Sequence, residues 1–375
     1  MRQFIYLITL ILSISALRGQ SLQDLFERET SYQHFSGCIQ VIKNGRTHFE
    51  YCAGNASPGR PNELSTAFDI GSVSKQFTAA AILTLVHEQK MGLADPINDY
   101  LGKYASERWE DVTIHHLLTH TSGIPSLFQS GQGLKMVMPK EEPVSLDELI
   151  NYFSDVKLLF DPGEEYRYSN SGYILLATII EHVTAQKYGT YIQKMAMNYG
   201  LNQTTFGPSD NYAKPYYGYR ADLTRPGVDY HKSWTFGAGG IHSTVVDLTK
   251  WTQVIQSDEF LSAELRQEYI KPHTRRGGGK YYAYGWEVNE EAGTVSHDGM
   301  NFGYVAYLGF KPEQHTSIAI LTNQSYESLT LTGASAAYIE ELQTKAWKIL
   351  ESETIEMAPA ISSDECIQGT YQFDD

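Results

Sequence analysis

The chain has 375 residues, of which 42% are hydrophobic, 12% aromatic and 19% charged, enough apolar material for a sizeable core and the wrong balance for a disordered or fibrous chain. Lys and Arg number 29 against 44 Asp and Glu, a net charge of −15. With no basic run to offset it, that surface repels a phosphate backbone, which excludes nucleic acid as a partner.

In chain order, the first feature is a leader. Arg2 precedes the apolar run Phe4–Leu12, and small or polar residues end at Leu17-Arg18-Gly19. This reads as a signal peptide over residues 1–19, because the run is well short of the ~20 apolar residues that a span needs. The expected location is periplasmic or secreted, with an N-terminal membrane anchor as the alternative. Residues 37–43 and 47–53 read as a strand pair around Asn44-Gly45. Cys38 and Cys52 flank that turn. A plain two-residue turn sets Cys38 opposite Tyr51 and puts the sulfurs on opposite faces, whereas a bulge or a three-residue loop pairs them. A disulfide and two buried thiols are both open, and Cys366 stands alone.

Residues 72–89 read as a helix, with Phe77, Ala80, Ala81, Thr84, Leu85 and Glu88 at helical spacing and Met91-Gly92 as the stop. Helical patches broken by Pro and Gly follow over about 93–235. One is 145–153, opened by the capping box Ser145…Glu148; another is the apolar stretch 172–185. Residues 212–230 look irregular. From Tyr284 the period changes to two, giving strands at 285–289, 294–297, 303–310 and 316–322, then a helix over 334–350. This order predicts an α/β (α+β) fold: one antiparallel sheet from both chain ends, flanking helices, and an inserted, mostly helical lobe. Residues 352–375 read as a polar linker followed by either a short tail strand from Ile367 or the start of a truncated β module.

Three short motifs carry chemistry. Ser72-Val73-Ser74-Lys75 opens a helix, so the Ser72 hydroxyl sits beside unpaired N–H groups at the positive end of the dipole. Lys75, one turn on, takes the hydroxyl proton if burial lowers its pKa. A second match, Ser154-Asp155-Val156-Lys157, falls near a helix C-terminus, where unpaired carbonyls oppose a developing oxyanion. Tyr168-Ser169-Asn170 lies at a loop-to-helix junction, where a Tyr can shuttle a proton and an Asn amide can hold a substrate carbonyl. His297-Asp298-Gly299 ends a strand, and the N–H of Met300 can point into a cleft. His115, His116 and His120 raise a metal reading, but no Glu lies between the latter two, so no metal and no cofactor is expected. Glu164 and Glu165 are an alternative base near Tyr168, read rather as solvated loop charges.

Together and in this order, the motifs resemble the serine β-lactamase and penicillin-binding-protein family, closest to its class C-like branch. The phrases Phe68–Thr78, Leu117–Ile124, Tyr168–Tyr173, Gly237–Thr244 and the strand 303–323 carry the likeness, over about residues 35–350. The resemblance implies a β-lactamase/transpeptidase-like fold over residues 20–351 and an exported serine hydrolase working through an acyl-enzyme on an ester, amide or D-amino-acid peptide. A small molecule or peptide is thus the implied partner. The alternatives are a silent binding protein of this fold, a true β-lactamase, or a D-Ala-D-Ala carboxypeptidase. It implies Ser72 as nucleophile, Lys75 as proton acceptor, Tyr168 as shared acid and base, and Asn170, His297, Asp298 and Gly299 as substrate contacts. The backbone N–H groups of Ser72 and Met300 form the implied oxyanion hole. Asp298 departs from the family's usual small residue: a carboxylate facing the cleft would repel anionic substrates, whereas one turned away would bond a backbone N–H or His297 and act as a strut.

Overall fold

The computed structural model describes residues 21–128, 137–217, 230–325 and 334–357. The leader, the tail strand, Cys366 and most of the irregular stretch 212–230 lie outside them. Among the described residues no helix is long and apolar enough to cross a membrane.

Eight strands form the main sheet. They are β1 (Gly37–Lys43), β2 (Arg46–Ala53), β3 (Thr274–Gly277), β4 (Lys280–Tyr282), β5 (Glu287–Asn289), β6 (Thr294–Asn301), β7 (Tyr304–Lys311) and β8 (Thr316–Thr322). Their spatial order is β2-β1-β8-β7-β6-β5-β4-β3, with every neighbouring pair antiparallel. The two chain ends meet where β1 pairs with β8, as the sequence order implied. β1, β7 and β8 are covered on both faces, which is why they read as nearly continuous apolar runs.

The hairpin joining β1 and β2 resolves the cysteine question. Lys43 faces Arg46 across a two-residue Asn44-Gly45 turn, both residues having positive φ, 52° and 71°. The register then shifts between Val41 and Ile42, leaving His48 as a bulge. Turn and bulge coexist, so Cys38 lies opposite Cys52 and the two form a disulfide.

Helix α1 (Leu22–Ser31) precedes the sheet and was not foreseen, although Ser21 and Asp24 cap it reciprocally. The helix expected over 72–89 is a single 3-10 turn, Gly71–Val73, continuing into α2 (Ser74–His87). α2 is buried all round between the sheet and the helical lobe, with Lys75, Gln76 and Thr78 as inaccessible as Phe77 and Leu83. α3 (Asn170–Thr184) packs on α2 and ends at Ala185 in the left-handed region, close to the expected boundary. The capping box at Ser145 opens a helix over Leu146–Asn151, as read. On the opposite face of the sheet, α1 and α4 (Ala334–Met357) cover Ile39, Val41, Val305, Tyr307, Ile318 and Ile320.

Two strand expectations are corrected. The strand read as 294–297 runs on to Asn301, and the one read as 285–289 contracts to Glu287–Asn289. Gly299 does not stop β6. A Cβ there would lie 1.9 Å from the Ile70 carbonyl oxygen, so glycine is what lets the strand pass under the nucleophile loop. The polar hairpin β3–β4, with its Gly277-Gly278-Gly279 turn, was not foreseen because an edge strand need not alternate.

Candidate active site

Ser72 lies in the 3-10 turn and Lys75 in the first turn of α2. The Lys75 Nζ donates to Ser72 Oγ at 3.0 Å, to Asn170 Oδ1 at 2.9 Å and to the Ala238 carbonyl at 2.8 Å. Three acceptors match three ammonium protons, yet Lys75 is 0% exposed, and burial holds its pKa well below 10.5. Burial thus eases the loss of an ammonium proton, after which Nζ has a lone pair within reach of the Ser72 hydroxyl. Ser154, by contrast, follows the Leu146–Asn151 helix, and its Lys157 is exposed.

Tyr168 closes the other side. Its ring centroid is 4.8 Å from Lys75 Nζ, and its buried hydroxyl lies near Ser72 without reaching a well-formed hydrogen bond to any described residue. Burial pushes its pKa up, while the nearby Ser72 hydroxyl pulls it down. A buried hydroxyl beside the nucleophile, with donor capacity left over, can pass a proton to or from a bound substrate. Behind it, His120 has a positive φ of 59°, accepts the Ser169 N–H on Nδ1 at 3.1 Å, and lies 4.2 Å from the Tyr168 ring centroid. Burial lowers its pKa well below 6.5. His120 is thus a neutral strut for the Tyr168-Ser169-Asn170 segment, a role its spacing to His116 did not disclose. His116 Nδ1 instead accepts the Thr113 N–H at a helix start. Glu164 and Glu165 are both exposed, with Glu164 closing a turn at Asp161.

On β6 the residues alternate. His297 and Gly299 face α2, whereas Asp298 and Met300 face α4. His297 is 4% exposed; its Nδ1 donates to the Asp298 carbonyl at 2.6 Å, which leaves Nε2 to accept the Tyr282 hydroxyl at 3.0 Å. Burial lowers its pKa to about 3, so this imidazole is neutral. Of the two readings of Asp298, facing the cleft or turned away, the carboxylate takes the second: it stands opposite Tyr307 and answers to Glu287, Lys280, Arg276 and Glu340 on the far side of the strand.

The two-residue turn after Asn301 makes Asn301–Tyr304 the hydrogen-bonded pair, so at Met300–Val305 the N–H and C=O point away from β7. That edge is open, because β5 pairs with β6 only as far as Ser296. Gly71 has φ +51°, and a Cβ there would lie 2.6 Å from the Met300 nitrogen. The N–H groups of Ser72 and Met300 thus come from two segments in backbone contact. Asn170 also holds Ser126, its N–H donating to Ser126 Oγ at 3.2 Å. Ser126, Tyr282 and the Ala238 carbonyl were missed, since each contributes only through long-range packing. A cavity of about 570 Å³ opens beside this loop, walled by Asp69, Tyr212, Tyr230, His242 and Tyr304.

The family described as Beta-lactamase matches residues 22–340. Penicillin-binding protein 4* of Bacillus subtilis (strain 168) is 28% identical over 84% of this chain and 75% of its own length. The chain spans 75% of the length of that protein and 63–64% of the length of the flp proteins of Staphylococcus aureus that it also matches. A penicillin binding protein from Bacillus halodurans superposes with a TM-score of 0.71 and 25% identity, covering 86% of this chain and all of that one. The D-amino acid amidase of Ochrobactrum anthropi SV3, bound to L-phenylalanine amide, shares the fold with a TM-score of 0.76 at 20% identity, over 88% of this chain and 98% of its own.

Proposed function

This chain belongs to the Beta-lactamase family, and we propose that it is a serine hydrolase that cleaves an uncharged ester or amide, or a D-amino-acid peptide, through an acyl-enzyme on Ser72. The observation that carries this reading is the buried Lys75 amine, 3.0 Å from Ser72 Oγ with its pKa held low. Lys75 accepts the hydroxyl proton as Oγ attacks the carbonyl carbon. The oxyanion gathers on the N–H groups of Ser72 and Met300. Tyr168 relays the proton to the leaving oxygen or nitrogen, and water then cleaves the acyl-enzyme by the same groups in reverse.

The preference for an uncharged group near the third motif rests on His297. A neutral imidazole there offers a substrate carboxylate no ion pair. Asp298 takes no part in this preference. The D-amino acid amidase whose fold is shared was crystallised with L-phenylalanine amide, a ligand without a carboxylate. Export is part of the proposal: the leader pattern and the Cys38–Cys52 disulfide both fit an oxidising compartment. The test is a panel of a p-nitrophenyl ester, a D-alanyl p-nitroanilide, nitrocefin and a D-Ala-D-Ala peptide, each with wild type and Ser72→Ala. Turnover of the two substrates without a carboxylate, the ester and the anilide, that vanishes in Ser72→Ala is expected. Saturable binding without turnover by any of the four would favour a silent binding protein instead.

A further inference from the structure

Two backbone N–H groups make the oxyanion hole, and they belong to segments far apart in sequence. Nothing covalent sets their separation. Yet a misplacement of about 1 Å near the reacting atoms costs on the order of 100-fold in rate. The structure holds one side chain that joins the two segments directly. Asp69, 3% exposed, accepts the Gly71 N–H and the Asn301 Nδ2–H on the same oxygen, Oδ1, each at 2.8 Å. Gly71 immediately precedes Ser72, and Asn301 immediately follows Met300. The second oxygen accepts the Tyr230 hydroxyl at 2.7 Å.

We propose that Asp69 is a positioning residue that holds the two halves of the oxyanion hole in register. The proposal rests on the hydrolase reading above and adds a residue to it.

The physical reason is the cost of a buried carboxylate. Such a group is tolerated only while its donors stay in place, so one oxygen shared by two donors resists any drift of the nucleophile loop from β6. Asp69 is itself anchored, since Phe68 and Asp69 pair with Ser243 and His242 in a separate small sheet. The contact beneath it is close enough to transmit the constraint, with Gly299 passing under the Ile70 carbonyl and Gly71 against the Met300 amide. Asp69 also contributes to the wall of the 570 Å³ cavity, together with its partner Tyr230.

The experiment compares wild type with Asp69→Ala, Asp69→Asn and Asn301→Ala. It measures kcat and KM on one neutral p-nitrophenyl ester, and the affinity of an arylboronic acid whose tetrahedral adduct mimics the oxyanion. Asp69→Ala and Asn301→Ala are expected to lower kcat about 10- to 100-fold with KM within about threefold, because the hole acts only on the transition state. Boronate affinity should fall by the same factor as kcat/KM. Asp69→Asn should stay within about fivefold of wild type, because its amide oxygen can still accept from Gly71 and Asn301. Unchanged kcat in both alanine variants, or a fall in kcat with boronate affinity retained, overturns the positioning role. If Asp69→Ala does not fold, Asn301→Ala decides by the same two criteria. Wild-type protein that neither turns over the ester nor binds the boronate overturns the hydrolase reading, and this inference with it.

Discussion

His297 donates its Nδ1 proton to the carbonyl of Asp298 at 2.6 Å, while the Asp298 carboxylate leaves the strand on the opposite face. The pair therefore divides its roles: the imidazole borders the cleft through Tyr282, and the carboxylate lies beneath α4 with Lys280 and Glu287. Asp298→Thr is expected to leave the ranking of ester, amide, penicillin and D-peptide substrates unchanged. Rates of all four should move together, within about threefold, as for a substitution remote from the substrate. A selective gain on carboxylate substrates in that variant would contradict the placement of the side chain.

Asp298 also predicts a pH dependence of stability. Its carboxyl is pushed up to about 7 from 3.8, by burial first and then by Glu287, while Lys280 and Arg276 oppose the shift and Glu340 adds to it. With the folded pKa raised, the folded state holds more protons than the unfolded state between these values. This group's contribution to stability thus falls as pH rises from about 4 to about 7. The midpoint of urea unfolding should gain on wild type in Asp298→Asn as pH rises through that window. Parallel pH profiles of the two proteins would show that the carboxyl is not perturbed.

Lys75 and Tyr168 stand 4.8 Å apart, nitrogen to ring centroid, around one hydroxyl. They should act as one proton-transfer unit. Lys75→Ala and Tyr168→Phe are each expected to lower kcat/KM by about 100-fold or more, and the double variant by little beyond the worse single one. Additive free-energy losses on the same ester would mean two independent bases. The rising limb of wild-type kcat/KM should also lie well below pH 10.5, because burial favours the neutral amine.

The Cys38–Cys52 disulfide closes a loop of sequence separation 14. Replacing both residues by Ser should lower the free energy of unfolding by about 2–4 kcal/mol, the usual scale for a loop of this size. Ester turnover of the folded variant should be kept. An unfolding midpoint insensitive to both the substitution and reducing agent would show that the bridge contributes nothing.

Much of the site was legible because it is local. Ser72 and Lys75 share one helical turn at a helix start, and Tyr168 to Asn170 sit at a helix entrance whose N-cap is Ser169. The orientation of Asp298 stayed undecided for a definite reason. With the strand ended at His297 and Gly299 taken as its stop, the alternation that carries Asp298 to the far face could not be applied. Gly299 is there instead for the passage under Ile70. The cysteine register was undecidable because the two-residue turn was visible and the His48 bulge was not. Asp69 and His120 were out of reach altogether, since each acts only through partners that folding brings in, Asn301 for one and Ser169 for the other.

The central claim is that Ser72, activated by Lys75, is the residue that becomes acylated. Incubating the full chain with an aryl fluorophosphonate, followed by intact-mass measurement and peptide mapping, reads this directly. The account predicts one adduct per chain, located on Ser72, absent in Ser72→Ala, greatly slowed in Lys75→Ala and undiminished in Ser154→Ala. An adduct of equal yield in Ser72→Ala, or one mapped to another residue, would contradict it.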